Sequence, residues 1–161
     1  MFTGSSYSED RQKNEALVLK QLQALIEDED DQIANLANAS ALLNQYLENI
    51  NWVGFYLVKG ETLVLGPFQG LPACVRISIG KGVCGTAVEL DETKLVTDVS
   101  AFPGHIACDP ASKSEIVVPI HADGKVIGCL DIDAPELQRF TTEDQVFLEQ
   151  FVRVLEASLK A

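Results

Sequence analysis

The period of the hydrophobic pattern changes at residue 51, and that change restricts the fold more than any other feature. Before it, Val18, Leu22, Leu25 and Ile26 recur at helical spacing and predict a helix over 15–27. Ile33, Leu36, Leu43, Leu47 and Ile50 predict a second helix with one apolar face. The run EDEDD at 27–31 separates them, and Asp30 or Asp31 is placed to cap the second. From Trp52 the pattern alternates: WVGFYLV, 52–58, turns through KGET into TLVLG. Further strands are expected near 74–79, 94–97, 115–121 and 125–133, the last two joined by an Asp123-Gly124 hairpin. Thr141 with Asp144 opens a final helix striped by Leu148, Phe151, Val152, Leu155 and Leu159. Helix, helix, strands, helix in that order predicts an α+β domain, its helices packed on one face of a mostly antiparallel sheet. Residues 1–14 read as a polar arm and 15–161 as one domain.

Composition excludes some partners. The net charge is −12, 24 acids against 12 bases, whereas phosphate-rich partners need clustered cations. Neither nucleic acid nor an anionic membrane is expected. The start, MFTGSSYSED, has no apolar run of a signal peptide, so the expected location is the cytoplasm. There the four cysteines are expected as thiols rather than as a disulfide framework.

Side chains alternate faces along a strand, so parity sorts them. Val53, Phe55 and Leu57 share one face of the first strand; Trp52, Gly54 and Tyr56 share the other. Ile116, Val118 and Ile120 oppose Glu115. Val126, Leu130 and Ile132 oppose Ile127, Cys129, Asp131 and Asp133. If the aliphatic faces meet the helices, the second faces either lie in solvent, as antiparallel sheets allow, or line a pocket holding Trp52, Tyr56, Glu115, Asp131 and Asp133. Three converging carboxylates repel one another, so either a cation balances them or one keeps its proton. Two ionised acids then suit an ammonium group, and a protonated third suits a general acid.

Cys74, Cys84, Cys108 and Cys129 contain no Cys-x-x-Cys pair, so no metal site is expected. Cys129 reads as a buried small hydrophobe beneath the pocket. Cys84, in GKGVCGTA, reads as lying at the start of a short helix, which lowers a thiol pKa. Cys108 lies on the loop FPGHIACDP, with His105 nearby. A thiol on a Pro/Gly-rich loop above an acidic, aromatic pocket, with spare thiols in other loops, points to redox chemistry: attack on an oxidised substrate, then a sulfenic acid, then a disulfide. A small-molecule sensor module and a disulfide switch acting through a partner protein are the competing readings.

NWVGFYLV, GKGVCGTA, FPGHIACD, SEIVVPI and GCLDIDAP together resemble the free methionine-(R)-sulfoxide reductases, stand-alone GAF-domain enzymes, from about residue 15 to the last helix. The resemblance implies a six-stranded antiparallel sheet with helices on one side and a ligand pocket on the other. It implies reduction of free methionine (R)-sulfoxide, recycling by thioredoxin as external thiol reductant, and no bound cofactor. Under it Cys108 is the nucleophile, Cys74 the usual resolving thiol, and Cys84 able to join the exchange. Glu115, Asp131 and Asp133 bind substrate and assist protonation; Trp52 and Tyr56 shape the methyl pocket. By analogy with GAF domains, a homodimer through the helices is expected.

Overall fold

The computed structural model describes residues 2–4, 6–106 and 108–161. Helix α1 (Arg11–Ile26) begins where the Asp10 side chain accepts a hydrogen bond from the Lys13 amide, four residues before the expected start. Helix α2 (Gln32–Tyr46) is capped by Asp31, which accepts from the Ala34 amide at 2.9 Å. Each cap satisfies an amide that has no partner within its own helix.

The chain then forms β1 (Trp52–Lys59), β2 (Thr62–Gly70) and β3 (Arg76–Ser78). Helix α3 (Gly82–Leu90), β4 (Lys94–Val96) and a 3₁₀ turn at Val99–Ala101 follow. β5 (Ser114–Ala122), β6 (Lys125–Ala134) and α4 (Thr142–Glu156) complete it. One six-stranded sheet runs β3-β2-β1-β6-β5-β4 with every neighbouring pair antiparallel. The expected α+β class is therefore present.

Val53, Phe55, Ile116, Leu130 and Ile132 face α1, α2 and α4, and meet Leu22, Leu43, Phe147 and Phe151 there. Each such side chain contributes about 1.5–3 kcal/mol by leaving water. The α4 start is a capping box: Thr141 Oγ1 accepts from the Asp144 amide, and Asp144 accepts from the Thr141 amide at 2.8 Å. Asp144 also takes Arg11 at 2.8 Å, which fastens the first helix to the last.

Three expectations need correction. Ile33 is 57% exposed. The buried stripe of α2 centres on Ala39 and Leu43, and at about 100° per residue Ile33 falls roughly a quarter turn from it. Leu47 and Ile50 lie beyond the helix, which ends at Tyr46. In β6 the faces of Val126 and Ile127 are exchanged: Ile120 pairs with Gly128 but His121 with Val126, leaving Ile127 as the extra residue of a bulge. Ile127 consequently packs toward the helices and Val126 toward the other face. A second register shift, opposite Gly54–Tyr56, falls where Pro67 removes an amide donor from β2. Among the described residues, no helix is long and apolar enough to cross a membrane.

Candidate functional site

The second face of the sheet is neither solvated nor uniformly polar. Short α3 packs over it, and Val83, Cys84, Ala87 and Val88 join Trp52, Tyr56, Val117 and Cys129 in a second apolar cluster. The glycine-rich stretch before α3 makes this approach possible. At Gly82, φ is +63° and an added Cβ would lie 3.0 Å from Ile106 of the Cys108 loop.

Pairing across the ladder sets the order of side chains on this face. Trp52, Asp133, Glu115 and Val96 form one row across four strands. Phe68, Gly54, Asp131 and Val117 form the next. Tyr56, Cys129 and Pro119 form a third. Neighbouring strands lie about 4.8 Å apart, so direct pairing forces Glu115 and Asp133 together, with Asp131 two residues along.

Gly54 leaves the gap into which the Trp52 indole leans. The indole is stacked between Phe68, at 5.2 Å, and Tyr56, at 6.0 Å. Its Nε1–H donates to the Leu71 carbonyl at 3.1 Å, and the Tyr56 hydroxyl donates to the Cys74 carbonyl at 2.8 Å. A methyl on Gly54 would meet the indole at 2.8 Å and also the Phe68 side chain. Gly54→Ala is expected to cost about 1–3 kcal/mol and to displace the indole. Urea unfolding with tryptophan emission checks this; an unchanged midpoint and spectrum would contradict it.

Burial dominates the electrostatics. Glu115 is 7% exposed and Asp131 6%. Burial, and then the charges of Asp131 and Asp133, hold the Glu115 carboxyl well above the usual carboxylate range. Burial and then the Asp131 charge do the same for Asp133, while the Ser112 hydroxyl, donating to Asp133 at 3.0 Å, acts against it. Burial raises Asp131 too, opposed by hydrogen bonds from Glu115 and Cys84. One buried oxygen of Asp131 and one of Asp133 have no hydrogen-bond partner. Each costs about 1–3 kcal/mol until a donor arrives.

Trp52, Tyr56, Cys84, Cys108, Glu115, Asp131 and Asp133 all line one cleft of about 550 Å³, counted with its open mouth. His105 lines it as well. Cys74 is joined to Cys108 by a disulfide at the lip, their Cα atoms 5.6 Å apart, within the ordinary range for such a bond. Cys129 is fully buried below. Cys84 departs from expectation. It lies in the first turn of α3, yet its thiol is pushed well above the usual value by its contact with Cys129, by burial, and by the Asp131 and Glu115 charges.

Several contributors gave no sequence signal. Phe68 follows the proline that irregularises β2, so alternation cannot place it. Asn51 donates to Asp109 at 3.0 Å and to Ser112 at 3.1 Å, tying the Cys108 loop to the foot of β1. These contacts link a loop to a strand end, where no periodicity operates.

The comparisons with known proteins agree with this architecture. A model of the GAF domain matches residues 22–159. The free methionine-R-sulfoxide reductase of Escherichia coli is 54% identical over 136 residues, 84% of this chain and 82% of its own. A structure of fRMsr of Staphylococcus aureus in its reduced form is 60% identical, with a TM-score of 0.88, and covers 91% of this chain and 95% of its own. A structure of the free methionine-R-sulfoxide reductase of Neisseria meningitidis in complex with its substrate is 43% identical, with a TM-score of 0.93, and covers 98% and 95%. With a GAF-domain match over residues 22–159, this sheet and these levels of identity, the chain belongs to the GAF-domain family and, within it, to the free methionine-R-sulfoxide reductases.

Proposed function

We propose that the protein reduces free methionine (R)-sulfoxide to methionine through Cys108, with Cys74 as resolving thiol and thioredoxin as external reductant in the cytoplasm. The observation that carries this reading is the Cys74–Cys108 disulfide at the lip of a cleft floored by three carboxylates and walled by an indole. The unpartnered oxygens of Asp131 and Asp133 accept hydrogen bonds from the substrate ammonium. Backbone N–H groups of the 102–110 loop receive its carboxylate. Trp52, with Tyr56 behind it, packs against the sulfur and its methyl group.

Glu115, kept in its acid form by burial, donates a proton to the sulfoxide oxygen. The substrate sulfur becomes electrophilic and the Cys108 thiolate attacks it. In the resulting Cys108–sulfur adduct the oxygen passes to the Cys108 sulfur as the substrate's sulfur–oxygen bond and the transient sulfur–sulfur bond break, so methionine leaves and Cys108 is left as a sulfenic acid. The Cys74 thiol then displaces that oxygen as water and forms the disulfide. In sum, one sulfoxide and two thiols give one thioether, one disulfide and one water. Both electrons come from the two cysteines, so no bound cofactor is needed, and a dithiol protein such as thioredoxin restores them by exchange. The buried Cys84 takes no part in this sequence.

Incubation of the protein with free methionine sulfoxide and either thioredoxin or a small dithiol, followed by quantitation of methionine, tests the proposal. Absence of methionine with both reductants would refute it. Cys74→Ser is expected to stop after about one methionine per enzyme under thioredoxin, with one oxygen atom added to Cys108 by intact mass. Sustained turnover in that variant would assign the resolving role elsewhere.

A further inference from the structure

Below the disulfide, Cys84, Glu115 and Asp131 converge from α3, β5 and β6. One potential ligand atom from each, the Cys84 sulfur and a carboxylate oxygen from each acid, lies within 4.8 Å of the others, and all three residues are buried. An equilateral triangle of that side has its centre about 2.8 Å from each corner, against bond lengths of about 2.0–2.3 Å to zinc. Closure by about 0.5 Å at the sulfur and about 0.6–0.8 Å at each oxygen through side-chain rotation completes the set. Acid clusters are common without an ion, but here a second feature points to a ligand. Asp131 is 6% exposed and lines the cleft, and one of its oxygens has no partner.

We propose that this floor binds a thiophilic divalent cation of the zinc class through Cys84 Sγ, Glu115 and Asp131, with water in the fourth position. One thiolate and two carboxylates form a donor set suited to zinc; magnesium and calcium take oxygen donors, and neither favours sulfur. Without a cation, burial keeps protons on Cys84 and Glu115 beside Asp131; a bound cation takes the place of those protons and holds the three donors, on separate elements around one small volume, as anions. Binding releases the Cys84 proton and any proton held by the acids. The cation occupies the space that an ammonium group needs, so it competes with substrate. This competition rests on the reductase reading; the existence of the site does not.

Cobalt(II) titration of the protein carrying its Cys74–Cys108 disulfide tests the site, because only Cys84 and Cys129 then hold thiols. The expected result is a near-ultraviolet sulfur-to-cobalt charge-transfer band with tetrahedral visible bands, displaced by zinc. Cys84→Ser abolishes the near-ultraviolet band and Cys129→Ser retains it. Should Cys84→Ser fail to fold, Asp131→Asn serves, weakening cobalt affinity by about tenfold or more. No band in the native protein, a band that survives Cys84→Ser, or an affinity unchanged in Asp131→Asn would overturn the assignment. Methionine production in chelator-treated buffer is measured separately. Its absence would refute the reductase reading without altering the cobalt spectrum.

Discussion

Cys108→Ser eliminates methionine production, by on the order of 10³-fold or more, while the variant remains folded. Serine keeps the size of the side chain but replaces a thiol, which ionises readily, with an alcohol that does not at neutral pH. It also cannot take up the oxygen as a sulfenic acid, so neither half of the reaction proceeds. The Cys74–Cys108 bond is lost too, but the sheet, the indole stack and the carboxylate row do not depend on it. Substrate binding is therefore expected to persist, measured as a rise in melting temperature on adding methionine sulfoxide. Retention of activity within about tenfold of the native rate would remove Cys108 from the nucleophile's place.

Glu115→Gln has the second largest effect and a more informative one. If Glu115 supplies the proton, kcat falls by about 10²–10⁴ while KM changes little. Its raised pKa also fixes the direction of the pH dependence: the rate is sustained while the acid is protonated and declines as pH rises through that raised value. The glutamine variant lacks this alkaline limb. The substitution shifts stability in the direction opposite to its effect on rate. Because the folded pKa lies above the unfolded value of about 4.3, the folded state binds more protons. The resulting stabilisation is complete below the unfolded pKa and is lost as pH rises through the folded one. Glutamine carries no charge at any pH, so at pH 8 the variant melts higher than the native protein, by about 2–4 °C for each kcal/mol gained. An enzyme that becomes both slower and more stable separates chemistry from folding. Loss of stability together with activity would mean that Glu115 serves the fold alone.

Much of the site was legible because it lies on strands. Parity alone placed Trp52, Tyr56, Glu115, Asp131 and Asp133 on one face, and the ladder joins them as that parity requires. Parity failed where the ladder slips. The bulge at Ile127 exchanges two faces, and a single sequence gives no sign of one extra residue. The Cys74–Cys108 pairing was not available from spacing either; it followed from family resemblance, since 34 residues separate the two and any two of the four cysteines are formally compatible. At Cys84 two opposing effects differ in magnitude. A helix N-terminus favours a thiolate by about 0.3–1 kcal/mol, whereas the Cys129 contact and full burial among acids push this thiol well above its ordinary value and outweigh it. The loop contacts of Asn51, Asp109 and Ser112 had no pattern to reveal them.

The hydrogen bond from Tyr56 to the Cys74 carbonyl gives the two half-cystines unequal freedom. A rigid central strand anchors the 71–75 segment by its main chain, as does the indole bond to Leu71. On the opposite side Asn51 and Asp133 hold Asp109 and Ser112, so any displacement on reduction is expected in the stretch before them, residues 102–106. Amide exchange should quicken there on reduction and stay level at 71–75; the reverse pattern would place the pivot on the wrong side.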